Sequence, residues 1–152
     1  MFQRIQTIYL TISLIAWGIL FFTPVLAFSN DAGGVWGLFA NGIQEADTHK
    51  VIMRATLLTA YYSLVAILLL VSMFTFKKLD LQLRLTTLSM ILQILSYGVI
   101  AVYVMQGKTG IAAHPVFIVA TILPIVAALF AWLASRGIKK DIELLKSLDR
   151  LR

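Results

Sequence analysis

The sequence predicts an all-α membrane protein, a bundle of four transmembrane helices with both chain ends on the cytoplasmic side. Three observations predict it. Of the 152 residues 60% are apolar, and the mean hydropathy is +0.90, more apolar side chain than a soluble domain of this size can hide from water. Residues 5–30, 55–76, 85–107 and 109–135 contain no Asp, Glu, Lys or Arg. The 13 Lys and Arg residues fall mainly on alternate connections, as the positive-inside rule requires.

A helix needs about 20 residues to cross a hydrocarbon core, and only helices or closed barrels pair every backbone group there. None of the four runs alternates apolar and polar residues as a barrel strand does. One domain covering 1–152 follows, with helices at about 5–28, 53–76, 85–106 and 115–136, an outer loop at 29–52 and a cytoplasmic tail at 137–152. Val25-Leu26-Ala27 also fits a signal-peptide cleavage site. The apolar run before it exceeds a typical h-region of about 7–15 residues, so the first segment is read as a helix.

Orientation rests on charge. With the N-terminus inside, Arg4, Lys77, Lys78, Arg84 and the six basic residues from Arg136 to Arg152 are cytoplasmic; only Lys50, Arg54 and Lys108 lie outside.

The outer loop is polar at its ends and apolar in the middle. Gly33-Gly34 can join residues 26–29 and 35–40 as a short β-hairpin. Trp36 and Phe39 then serve as interfacial aromatics or as an exposed docking surface. In the fourth helix Ala120, Pro124, Ala127, Ala131 and Ser135 recur on one side, where small residues let a neighbouring helix approach closely. Pro115 suits that helix's first turn and Pro124 is expected to kink it. Gly137 offers a break, after which Ile138, Ile142, Leu145 and Leu148 stripe an amphipathic cytoplasmic helix. Its cations Lys139, Lys140, Arg150 and Arg152, with Arg4 at the other end of the chain, are expected to meet anionic inner-leaflet lipid or a protein partner.

Chemistry is sparse. Without cysteine there are no disulfides, thiol nucleophiles or thiolate metal sites. No ionisable residue lies at mid-membrane, where such residues mark ion and proton pathways. His49 and His114 fall outside, and even with Glu45 and Asp47 match no metal-ligand spacing. No catalytic site, cofactor or metal is expected, and neither nucleic acid nor a small-molecule substrate is indicated. Gln93, Ser89, Ser96, Tyr97, Tyr61, Tyr62, Thr59 and Ser63 are read as hydrogen-bonding groups between helices.

The opening Met1-Phe2-Gln3-Arg4-Ile5-Gln6-Thr7-Ile8-Tyr9-Leu10 and the closing Ile138-Lys139-Lys140-Asp141, Leu145 and Ser147-Leu148-Asp149-Arg150-Leu151-Arg152 resemble the Bacteroidota membrane family known as domain of unknown function 4293. Phe2 and Leu148 depart slightly from its pattern. The resemblance implies a four-helix inner-membrane protein of a Gram-negative bacterium and supplies no catalytic residues. The function expected is that of a non-catalytic accessory or scaffold subunit of a larger inner-membrane complex. A small channel, carrier or lipid-binding protein is the alternative.

Overall fold

A computed structural model describes residues 3–30, 33–110 and 113–149. Helix α1 (Gln3–Ile19) leads into strands β1 (Leu26–Ser29), β2 (Val35–Phe39), β3 (Gly42–Glu45) and β4 (Val51–Arg54). Helices α2 (Thr56–Phe74) and α3 (Leu79–Gly110) follow, then β5 (His114–Val116), a 3₁₀ turn (Val119–Ile122) and α4 (Leu123–Asp149). The helices run up, down, up and down, and each packs on two neighbours, in the ring α1–α2–α3–α4. The strands gather at one end of the bundle. The other end carries both termini and the α2–α3 turn.

The all-α expectation is therefore overturned. Five strands form one antiparallel sheet in the order β4-β3-β2-β1-β5, where the sequence suggests at most a hairpin. The cause is local. The charge-free run 5–30 reads as one span, but Pro24 lacks an N–H and crowds the residue before it, so α1 stops at Ile19. Asn30 then accepts from the Gly34 N–H at 2.8 Å, and Gly33 at φ 85° closes the β1–β2 turn. Between β2 and β3 the turn Ala40-Asn41 is followed by Gly42, where a Cβ would lie 2.3 Å from the Met53 carbonyl oxygen. β5 completes the sheet from the far side of the chain, pairing Phe28 with Pro115. Pro115 thus sits on an edge strand, where its missing N–H costs no ladder bond, and not in a helix.

Among the described residues three helical segments are long and apolar enough to cross a membrane, Thr56–Phe74, Leu79–Gly110 and Val119–Ser147. α1, at 17 residues, is shorter. These spans mark a membrane protein. Pro124 opens α4 after the 3₁₀ turn, an N-terminal position that suits proline and produces no mid-helix kink. Nor does Gly137 break the chain. α4 continues through it to Asp149, so the expected separate tail helix is an extension of the fourth span. The glycine serves close approach instead, since a Cβ there would meet Gln6 Cγ at 3.0 Å.

The core sits where sheet meets bundle. Trp17, Leu20, Leu26, Phe28, Leu38, Ile43, Leu58 and Tyr62 are buried together. Phe28 presses its ring on Gly107 of α3, leaving no room for a Cβ. Trp17 donates its indole N–H to the Tyr62 carbonyl at 3.0 Å, and the two rings meet edge to face at 5.0 Å. Thr59 of α2 donates to the Ala40 carbonyl (2.6 Å), and Thr121 to that of Val25 (2.6 Å). Side-chain hydroxyls thereby tie the sheet to the helix ends.

Candidate functional site

Each helix buries one face at spacings of three and four. On α2 the buried positions are Leu58, Tyr62, Val65, Leu69 and Ser72. On α3 they are Gln82, Thr86, Ser89, Gln93, Ser96, Ile100, Tyr103 and Gly107. Leucine, isoleucine and valine point outward from the same helix, with Leu88, Ile91, Ile94 and Leu95 all exposed. α3 is polar inside and apolar outside, the arrangement that lipid favours.

The polar seam stitches the bundle. Ser13 of α1 donates to the Ala127 carbonyl of α4 at 2.8 Å and accepts from Gln93 Nε2 of α3 at 3.2 Å, crossing the centre of the bundle. Towards the terminal end, Thr86 donates to the Gln82 carbonyl at 2.8 Å, so the 2.6 Å contact between Ser72 and Thr86 has the serine as donor. Tyr61 donates to the Leu92 carbonyl at 2.6 Å. Gln82 Oε1, Gln93 Oε1 and the Tyr62 hydroxyl are buried without a protein partner. The seam supplies neutral donors and acceptors only, since residues 85–107 of α3 hold no charge.

Ionic groups concentrate at the helix ends. At the terminal end, Lys77, Lys78 and Arg84 face Lys146 of α4 across a groove of about 570 Å³ that also includes Asp80, Ile142 and Leu145. A second recess of about 490 Å³ is formed by Arg136, Gly137, Lys139, Lys140 and Glu143. Gln6 Nε2 donates to Asp141 Oδ2, fastening α1 to α4 between these cationic surfaces. At the sheet end, β4 is an edge strand with Val51, Ile52 and Arg54 exposed. His49 occupies the β3–β4 loop at φ 53° and His114 lies on β5, both exposed. Among the described residues no group of three or more His, Asp or Glu gathers as a metal site.

A family model described as Domain of unknown function (DUF4293) matches residues 2–151. The chain belongs to the DUF4293 family. No curated protein matches it.

In this DUF4293 protein the residues singled out from sequence fall into three groups. Trp36 is only 9% exposed and folds over Gly34, while Phe39 is half-buried against Gly37; both belong to the sheet's own packing. On α4, Pro124, Ala127 and Ala131 are buried, Ser135 is half-buried, and Ala120 lies in the 3₁₀ turn. Lys139 and Lys140 are exposed on the terminal extension of α4. Arg150, Arg152 and the Arg4 side chain lie outside the described residues. Two features were missed in the sequence: the open β4 edge and the Trp132–Arg136 pair, with the guanidinium 4.9 Å from the indole centroid. An (i, i+4) Trp–Arg spacing at a helix's emergence from lipid is the signal that could have found the pair.

Proposed function

We infer that this chain is a non-catalytic accessory or scaffold subunit of a larger bacterial inner-membrane assembly, inserted with both termini in the cytoplasm. The observation that carries this reading is the closed seam. Ser89, Gln93 and Ser96 are neutral and have no solvent exposure; Ser89 and Ser96 donate to carbonyls of their own helix, and Gln93 reaches across to Ser13 of α1. Binding surface is available at the two ends instead. The β4 edge offers unpaired backbone beside exposed Val51 and Ile52, a feature that soluble monomers usually blunt. The terminal end offers lysines and arginines, and their excess over the sheet end supports the orientation.

Copurification is the direct test. A tagged copy extracted from its native membrane in mild detergent is expected to bring down at least one membrane protein in stoichiometric amount by mass spectrometry. A monodisperse monomer carrying only lipid overturns the subunit reading.

Orientation can be tested separately, and the absence of cysteine makes the test clean. Thr48→Cys, on the exposed β3–β4 loop, is expected to react with a membrane-impermeant maleimide in intact spheroplasts. Ser147→Cys, exposed on the far end of α4, is expected to react only after permeabilisation. The reverse pattern overturns the orientation.

A further inference from the structure

The outward face of α4 carries an arrangement that the packing of the bundle does not use. Ile125, Leu129, Trp132, Arg136, Lys139 and Glu143 recur at alternating steps of four and three, so they stack on one side of the helix. The first half of this stripe is apolar and the second half is ionic. Beside the apolar half, Met90 and Ile94 of α3 complete a groove of about 310 Å³ with Ile125, Ala128, Leu129 and Trp132. It opens on the lipid-facing side, where Ile94 and Leu129 are exposed. One turn beyond Trp132 the recess of Arg136, Lys139 and Lys140 begins, with Glu143 beside them. The Arg136 guanidinium lies over the Trp132 ring and joins the two recesses.

We propose that the α3–α4 groove and the Arg136–Lys139–Lys140 recess together form a binding site for one anionic phospholipid. At 1.5 Å per residue, Ile125 to Trp132 spans about 10 Å, the reach of part of an acyl chain. The cations follow within the next two turns, at the depth where a phosphate would sit above that chain. Tryptophan is the side chain that best tolerates the boundary between the two environments. Stacking on it holds the guanidinium near the interface and leaves its N–H groups to a phosphate. A zwitterionic lipid would fill the groove equally well but would lack the net negative charge that the recess favours. Apolar lining and adjacent cations therefore select an amphiphile with an anionic head.

Tryptophan fluorescence tests this, because Trp132 is 41% exposed whereas Trp17 and Trp36 are buried. The full chain is reconstituted in phosphatidylcholine vesicles containing a minor fraction of acyl-brominated phosphatidylglycerol, or the same fraction of acyl-brominated phosphatidylcholine. Bromine quenches indole on contact. The anionic lipid is expected to quench at least about twofold more strongly, and Trp132→Phe is expected to remove the difference. Arg136→Gln with Lys139→Gln and Lys140→Gln should abolish the preference, with helical circular dichroism confirming the fold. Lys77→Gln with Lys78→Gln and Lys146→Gln removes as many charges from the other groove and should preserve it. Equal quenching by the two lipids overturns the site. So does equal loss in both triple variants, which would signify a diffuse surface potential, or a preference that survives Trp132→Phe.

Discussion

Trp17→Ala is expected to destabilise the folded protein by about 3–5 kcal/mol. Trp17 has no exposed surface and stands where the last turn of α1 meets the sheet. Truncation leaves a cavity against Tyr62, whose ring is 5.0 Å away, and removes the indole bond that the Tyr62 carbonyl accepts at 3.0 Å in addition to its helical one. Phe21 contacts the same tyrosine from another side, with centroids 6.0 Å apart, so the loss extends beyond one pair. In lipid the penalty arises from lost dispersion contacts more than from water, because the unfolded helices remain in an apolar solvent. The measurement is reversible unfolding in mixed micelles as the fraction of sodium dodecyl sulfate rises. Trp17→Phe should recover most of the stability, since it restores most of the volume but not the hydrogen bond. An alanine variant that unfolds at the parent's midpoint would refute the packing described for this end.

The helices were legible because lipid demands long uncharged runs, and α2 and α3 supply them. Of the sheet only the β1–β2 hairpin was legible, from the Gly33-Gly34 turn between residues 26–29 and 35–40; the strands themselves carry little pattern, for physical reasons that differ by strand. In β1 the outward positions are Ala27 and Ser29, too small to create a visible alternation with Leu26 and Phe28. β2 buries Trp36, Gly37 and Leu38 in succession, so its burial does not alternate at all. β5 is three residues long and contains proline, and it takes its place only because the bundle brings α4's approach beside β1. That is a tertiary decision no local pattern records. Two of the prolines and Gly137 misled for a related reason, since Pro115 lies within an edge strand, Pro124 falls in the first turn of α4, and Gly137 marks a crossing.

The buried seam was partly legible. Gln93, Ser89 and Ser96 stood out as polar residues in an apolar helix, but the full spacing on α3 was hidden by looking for apolar periodicity. Inside a membrane the informative stripe is the small and polar one. The candidate lipid site was still less legible. Its cations were visible, yet the groove beside them needs α3 and α4 side by side, and Met90 and Ile94 have no local mark that separates them from other apolar neighbours.

Ala127→Leu tests whether that seam holds the bundle together. Ala127 has no exposed surface, and its carbonyl is the acceptor for Ser13. α1 and α4 can approach closely enough for that bond because the α4 face between them is built of small side chains, Ala127, Ala131 and Ala134. Three further carbons at position 127 have no space to enter, so the helices must separate. Separation overpacks the site by about 1–3 kcal/mol and stretches two linked hydrogen bonds, Ser13 to Ala127 and Gln93 to Ser13, each worth about 0.6 kcal/mol on average in membrane proteins. A loss of about 2–4 kcal/mol is expected, although leucine is itself an excellent helix former and the substitution makes the chain more hydrophobic. Ile15→Ala supplies the contrast. Ile15 is exposed on the other side of α1, where its removal breaks no packing within the bundle and should stay within about 0.5 kcal/mol. If the two variants shift the unfolding midpoint equally, stability follows hydrophobicity and not helix approach, and the seam loses its structural role. If only Ala127→Leu shifts it, the polar residues of α3 are accounted for as adhesive, and function is to be sought at the two ends of the molecule.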